Sequence, residues 1–260
     1  MGAARTLSAD YEAGRKERIA RAKSLEGRVA LVTGVSHAGQ VGQTVAKALA
    51  AEGAVLAICA RTQSNVDARA AELRQSGARV LSLAVSLTDE VQVRRLIADV
   101  VNEFQRIDIL INLAGGLTRY KPAVEHGLDD WHAEIDNNLL SAFLTSREVF
   151  PRMAKTGGGS IINFSRAGGP QANMVAYNCA KAGVDALTRT LALEGRDIGI
   201  RVNAIAPGLV DTESNIAVMK PEDLKRWTKR DDIASAVVFL ASPAAAGVTG
   251  QVLPVTGWGL

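Results

Sequence analysis

Cysteine is almost missing from this chain of 260 residues. Its two cysteines, Cys59 and Cys179, lie outside any CxxC pair and cannot build a disulfide framework, so a reducing, cytoplasmic setting is expected. Aromatic side chains are also few, with three Trp, three Tyr and five Phe, and their scatter leaves no stacking platform for a nucleic acid. No apolar run approaches the roughly 18 residues of a membrane span. Near the N-terminus charges recur every few residues, which breaks the apolar core of a signal peptide. The acids among them do not suit a transit peptide either. No membrane partner is expected, and no metal ligand is assigned.

An excess of acid is lacking as well. Lys and Arg number 30 against 27 Asp and Glu, a formal charge of +3 with a sequence pI near 9.0. Residues 1–28 carry seven of those basic side chains and four of the acidic ones, so the surplus lies there and the remaining 232 residues are neutral. A pI near 9.0 therefore argues little for DNA or RNA. The expected organisation is a basic N-terminal arm over 1–26, followed by one domain over 27–260. The arm is either a solvated extension or a segment that packs on a neighbouring subunit.

From Arg28 onward, short β-branched or apolar runs alternate with helical patterns. The strands expected are Val29–Thr33, Ala54–Ala60, Arg79–Ala84, Ile107–Asn112, Ser160–Ser165, Ile200–Ala206 and Gln251–Val255. Between them, Val41–Ala51, Asn65–Ser76, Asp89–Phe104, Leu128–Ala154, Val175–Glu194 and Asp231–Ala241 read as helices. Such alternation implies right-handed crossovers and a parallel sheet covered on both faces, and runs such as AVLAICA at 54–60 have the continuous apolarity of strands buried on both sides. The fold class expected from this pattern is α/β, one domain built on a parallel sheet covered on both faces.

The segment RVALVTGVSHAGQVGQTVAKALA at 28–50 places a glycine-bearing turn between a strand and a helix. Gly34, Gly39 and Gly42 permit positive φ and close backbone approach, while a helix N-terminus offers amides to a phosphate. The spacing G-x4-G-x2-G is not the usual dinucleotide fingerprint, but its place after a strand and before a helix points to a dinucleotide. Gly34, Ser36, His37, Gly39 and Gly42 are read as cofactor-binding. The second strand ends in Cys59-Ala60-Arg61, without the carboxylate that holds the adenosine ribose of NAD. Arg61 supplies a guanidinium suited to the extra phosphate of NADP. NADP(H) is favoured, and NAD(H) stays open.

AYNCAKAG at 176–183 puts Tyr177 and Lys181 one helical turn apart on one face. A phenol with an ordinary pKa near 10 is a poor acid–base catalyst at neutral pH, and an ammonium nearby would stabilise its phenolate. Alone, such a pair is more often ordinary packing.

The pieces VTGVSHAGQVG (32–42), INLAGG (111–116), NNLLSAF (137–143), GSIINFS (159–165), YNCAK (177–181), RVNAIAPGLVDT (201–212) and VTGQVLPVTGW (248–258) occur together and in order. In that set the chain resembles the short-chain dehydrogenase/reductase family over about residues 27–257. The resemblance implies a single Rossmann-like, doubly wound parallel sheet of seven strands, assembled as a homotetramer or homodimer. It also implies a reversible NAD(P)-dependent reduction of a ketone, aldehyde or 3-oxoacyl group, with a small-molecule carbonyl or alcohol, an acyl thioester included, as partner. It makes Tyr177 the proton donor or acceptor. Lys181 becomes the residue that holds the nicotinamide ribose and lowers the tyrosine pKa, and Asn138 the keeper of a proton relay. Asn112, Ala114 and Gly115 are placed along the adenosine side of the cofactor, and Pro207, Gly208 and Thr212 at its nicotinamide end.

The chain also departs from the family pattern. The glycine turn is two residues longer than usual. Enoyl reductases of the superfamily share a lengthened turn, but their Tyr-x6-Lys spacing differs from the one here. Ser86 stands where an aspartate usually meets the adenine amine. The catalytic serine falls on Ser165 if the loop before Tyr177 is one residue short, and on Arg166 in an ungapped reading; Ser165 is favoured because a hydroxyl donates to a carbonyl without a buried charge. The stretch between Thr212 and Asp231 is short for a substrate lid, and its basic rim is either solvated or suited to an acidic substrate or carrier. A nucleotide-binding scaffold with little turnover is the alternative function.

Overall fold

The computed structural model describes residues 23–258. The arm expected over residues 1–26 therefore lies, up to residue 22, outside the described residues. Its last residues belong to the domain. Leu25 is buried in the core, its amide donates to the Glu52 carbonyl (3.0 Å), and the Ser24 hydroxyl donates to the Glu52 carboxylate (2.7 Å). The boundary expected at residue 27 thus moves upstream.

Seven strands form one parallel sheet: β1 (Val29–Thr33), β2 (Val55–Ala60), β3 (Val80–Ala84), β4 (Ile109–Asn112), β5 (Gly159–Phe164), β6 (Ile200–Pro207) and β7 (Val252–Val255). Their spatial order is β3-β2-β1-β4-β5-β6-β7. The chain runs outward from β1 to β3, crosses back to β4 beside β1, then runs outward the other way. Order reverses between β1 and β4, and helices leave from opposite faces there, opening a crevice at the carboxyl ends of the strands.

Strand periodicity divides the interior into two cores. Ala30 and Val32 of β1, with Leu56 and Ile58 of β2 and Ile109 and Ile111 of β4, face α1 (Val41–Ala51), α2 (Gln63–Gln75) and α8 (Arg230–Ala241). Val29 and Leu31, with Ala57, Cys59 and Leu110, face α3 (Glu90–Phe104) and α5 (Ser141–Lys155). Cys59 is a packing residue there, and burial pushes its thiol up to about 12.

The single helix expected over Leu128–Ala154 is three pieces. α4 spans Leu128–Ile135, a π-helical segment spans Asp136–Leu140, and α5 follows. The wider turn places Asn138 at the crevice, and π segments recur at functional positions for this reason. α6 (Val175–Gly195) lies close against this segment, and a Cβ on Gly183 would come 2.6 Å from Leu139 Cδ2 and push the tip of that side chain aside. The sequence pattern also missed α7 (Glu213–Met219), a seven-residue helix capped by Thr212. Among the described residues no helix is long and apolar enough to cross a membrane.

Candidate active site

The crevice is assembled from the carboxyl ends of β1, β4, β5 and β6. Thr33 ends β1, and its hydroxyl locks the switch point. It donates to the Ile111 carbonyl (3.1 Å) and accepts from the amides of Leu113 and Ala114 (3.0 Å each). Gly34 follows with φ +77°, and a Cβ there would sit 2.9 Å from the backbone of Ala114. The glycine turn and the turn after β4 therefore touch. Ser36 is half-buried in the turn and His37 exposed.

The residues present suit a dinucleotide in three respects. α1 opens at Val41 with no side chain capping it, leaving its first amides to an outside acceptor. Gly42 packs on the Gly34 carbonyl so closely that a Cβ would lie 2.5 Å from that oxygen. Arg61 stands exposed just past the end of β2. One feature runs against anion binding: the Glu213 carboxyl of α7 lies on Gly39, so a Cβ there would fall 2.0 Å from Glu213 Cδ. Ser86, at the expected adenine position, shares a hydrogen bond with Thr88 (3.1 Å) and donates its amide to Gln92 Oε1 (2.9 Å).

Two side chains expected at the cofactor make bonds within the protein. The Asn112 side chain does not line the turn after β4. It points into the interior, where Nδ2 donates to Asn163 Oδ1 and Ser146 Oγ (2.9 Å each) and Oδ1 accepts from Thr145 Oγ1 (2.6 Å). Its two amide protons are thus committed between β4, β5 and α5. Thr212 uses its hydroxyl oxygen as a cap and lies 3.2 Å from Ser214 Oγ, with its O–H proton left to donate. Its Oγ1 accepts from the Asn215 amide (3.2 Å) as the N-cap of α7. Pro207 ends β6, and Gly208 continues the pairing by donating its amide to the Val255 carbonyl (3.0 Å).

Asn138 is buried and embraces the turn after β4. Its Oδ1 accepts from the Gly116 amide (2.9 Å), while Nδ2 donates to the Gly116 carbonyl (3.1 Å) and to the Glu134 carbonyl (2.9 Å). Gly115 makes room for it, since a Cβ at φ +136° would meet Asn138 Oδ1 at 2.7 Å. Tyr177 and Lys181 lie one turn apart near the start of α6, as the spacing predicts, with Lys181 Nζ 5.6 Å from the centroid of the tyrosine ring. The buried ammonium donates to the Phe164 carbonyl (2.8 Å). Burial pulls its pKa down to about 8, against the opposing charges of Glu134 and Asp185. The Tyr177 phenol of the cofactor-free protein is shifted the other way. Burial pushes its pKa above the ordinary value, the Arg166 guanidinium pulls it back only in part, and Glu134 pushes it up further.

Ser165 follows β5, is buried, and extends the sheet by donating its amide to the Ile205 carbonyl (2.8 Å). Arg166, the other candidate, is half-buried and folds into its own loop, donating Nη1 to the Gly169 carbonyl (2.8 Å). In the lid, Val218 and Met219 are exposed. Of the basic rim, Lys229 and Arg230 pair with Asp211 (3.8 and 3.3 Å). Sequence reasoning missed Thr33 and Glu134. The latter stands four residues before Asn138, the same interval that joins Tyr177 to Lys181.

The family profile described as enoyl-(acyl carrier protein) reductase matches residues 34–258. The chain is similar to a 3-oxoacyl-(acyl-carrier-protein) reductase of Synechocystis sp., 36% identical over 243 residues that cover 90% of this chain and 97% of that protein. It is likewise similar to a D-threitol dehydrogenase of Mycolicibacterium smegmatis, 37% identical over 244 residues that cover 90% and 93%. Among solved structures, a hydroxysteroid dehydrogenase from Escherichia coli superposes with a TM-score of 0.82 at 32% identity, covering 89% of this chain and 96% of that one. A 7-alpha-hydroxysteroid dehydrogenase complexed with NADH and 7-oxo glycochenodeoxycholic acid reaches 0.85 at 31% identity, covering 92% and 96%. With its seven-stranded parallel sheet and these relatives, the chain belongs to the short-chain dehydrogenase/reductase family and is an oxidoreductase of that family.

Proposed function

We propose that the protein catalyses the reversible, NADP(H)-dependent reduction of a ketone, aldehyde or 3-oxoacyl group to the alcohol. The observation that carries this reading is the placement of Tyr177 and Lys181 one turn apart on α6, with the Lys181 ammonium tied to the carbonyl beside Ser165. Their four-residue interval favours carbonyl reduction over reduction of an enoyl double bond. When bound, the nicotinamide supplies or accepts the hydride.

The chain's own residues hold the substrate and move the proton. Tyr177 carries it: a phenol held protonated by burial donates to the oxygen in reduction and accepts from the alcohol in oxidation. Ser165, at the end of a central strand, is the hydrogen-bond donor to that oxygen. Arg166 is the weaker candidate because its guanidinium is engaged with its own loop. Lys181, buried yet cationic below about pH 8, offers donors to ribose hydroxyls once it leaves the Phe164 carbonyl. Asn138 holds the turn after β4 in register with α6. Gly34, Ser36, His37, Gly39, Gly42, Ala114, Gly115, Pro207 and Gly208 form the walls of the cofactor crevice, with Arg61 toward the adenosine phosphate. An apolar groove lined by Ile135, Leu139, Leu140, Phe143 and Leu187 supports assembly with a second copy of the chain.

The test is nicotinamide absorbance with NADPH and with NADH against a panel of ketones, aldehydes and 3-oxoacyl thioesters. Turnover with NADPH is expected, with Arg61→Ala weakening NADP(H) binding about 10- to 100-fold and sparing NAD(H). Equal affinity for the two cofactors, or an unaffected Arg61→Ala variant, overturns the phosphate assignment. Binding without turnover on every substrate, unchanged by Tyr177→Phe, would instead favour a nucleotide-binding scaffold.

A further inference from the structure

Glu134 is the one carboxylate in the candidate site that sits wholly inside the protein, at 0% exposure on α4. A buried carboxylate is costly unless donors meet its oxygens. Here four donors do so. Oε1 accepts from the Thr118 amide (2.6 Å), the Thr118 hydroxyl (2.7 Å) and the Arg119 amide (2.6 Å), and Oε2 accepts from Asn138 Nδ2 (3.2 Å). The Lys181 ammonium bonds to the Phe164 carbonyl instead.

The donors come from two places. Thr118 and Arg119 belong to the loop that leaves β4, and Asn138 lies on the π segment. Asn138 also holds Gly116 by both its amide and its carbonyl. One side chain therefore fastens the loop across the crevice mouth to the asparagine beside it. Its charge acts on groups of other elements too. Lys181 feels it from α6 together with Asp185, and Tyr177 feels it together with the opposing Arg166 of the loop after β5.

We propose that Glu134 is a positioning residue of this oxidoreductase: it fixes Asn138 and the 116–119 loop against each other and holds a buried negative charge at that junction. This rests on the reading of Tyr177 as the proton-carrying group.

E134Q keeps the size and one acceptor oxygen but removes the charge. The phenolate absorbance of the free full-length protein is titrated in wild type and in E134Q, with the Tyr177→Phe protein subtracted to isolate Tyr177 from the other two tyrosines. Because a neighbouring anion disfavours the phenolate, E134Q is expected to form it at lower pH than wild type. Its kcat is expected to fall by about tenfold or more while the cofactor KM changes by less than about twofold. E134D, with its charge retained on a shorter stem, is expected to keep the wild-type phenolate titration and to lose kcat. A folded E134Q with wild-type phenolate titration and kcat overturns the proposal. If E134Q does not fold, E134D decides: a kcat within about twofold of wild type overturns it. The phenolate titration needs no turnover, so an enzyme inactive on every carbonyl offered would count against the substrate reading while the charge of Glu134 is still judged.

Discussion

Lys181 spends its ammonium on the carbonyl of Phe164, 2.8 Å away, in a pocket where only 8% of the residue is exposed. Burial brings its pKa from 10.5 to about 8. Between those values the unfolded chain keeps a proton that the folded chain has released, so stability rises with pH across that window. Integrated, the rise is on the order of 3 kcal/mol. Tyr177 acts in the opposite sense above its ordinary value of 10, because the folded chain then holds a proton the unfolded chain has lost. Cys59 acts in that sense too above its ordinary value of 9, since burial holds its thiol protonated, so the clean interval is about pH 8 to 9. Urea unfolding of the cofactor-free protein should show the rise there, and Lys181→Met should lack it. Equal slopes for the two proteins would contradict the burial argument. The same titration should appear in catalysis as loss of reductive turnover on raising pH through about 8, where Lys181 surrenders its charge.

Ser165 and Arg166 make opposite predictions in kinetics. Ser165 is buried just after β5 and is the proposed donor to the substrate oxygen; removing such a donor costs about 100- to 1000-fold in kcat. Ser165→Ala should show that loss with cofactor affinity intact. Arg166→Ala should leave most of kcat and move the acid–base profile instead, since its charge is what draws the Tyr177 phenol down. Steady-state kinetics across pH separates the two. A larger kcat loss in the arginine variant would hand it the oxyanion role and reopen an anionic substrate.

The sheet was legible because buried strands are written locally. Runs such as VALVT and VLAICA have one continuous apolar character, and punctuation by glycine and polar residues brackets them. What failed to show was non-local. The π segment changes no residue type within the 128–154 pattern, so periodicity runs through it unbroken. α7 is too short for a periodic signal and depends on the Thr212 cap and on contact with the glycine turn. Asn112 reads as a turn residue until Ser146, Thr145 and Asn163 arrive from more than thirty positions away. Glu134 reads as a solvated carboxylate until the loop after β4 folds over it. Leu25 is hidden among charges and shows as a core residue only once the chain packs it into the apolar cluster, with its amide on the Glu52 carbonyl.

Asn112 shows how such a residue is tested. Asn112→Ala leaves Asn163 Oδ1 without its donor and removes three side-chain bonds at the junction of β4, β5 and α5. Breaking a buried network of this kind costs about 2–4 kcal/mol, a loss of about 5–15 °C in Tm for a domain of this size. Cofactor affinity, measured well below the melting transition, should stay near wild type. A variant with unchanged Tm and weakened cofactor binding would return Asn112 to the role the resemblance assigned.

Glu213 is the remaining charge whose sign opposes the proposed ligand. It begins α7, where an acid suits the helix dipole, and its carboxyl lies on Gly39 of the turn expected to receive phosphate. Its amide donates to the Gly39 carbonyl (3.2 Å), and Ser214 donates to Gln40 (3.1 Å), so the lid and the turn are already joined. A dinucleotide that settles there must displace or tolerate that carboxylate. Glu213→Gln should therefore tighten NADP(H) binding by about two- to fivefold at low ionic strength, with the gain shrinking as salt screens an exposed charge. Isothermal titration at two salt concentrations reads both effects. Weaker binding in Glu213→Gln would instead make the carboxylate a partner of the cofactor, for which its ribose hydroxyls are the available donors.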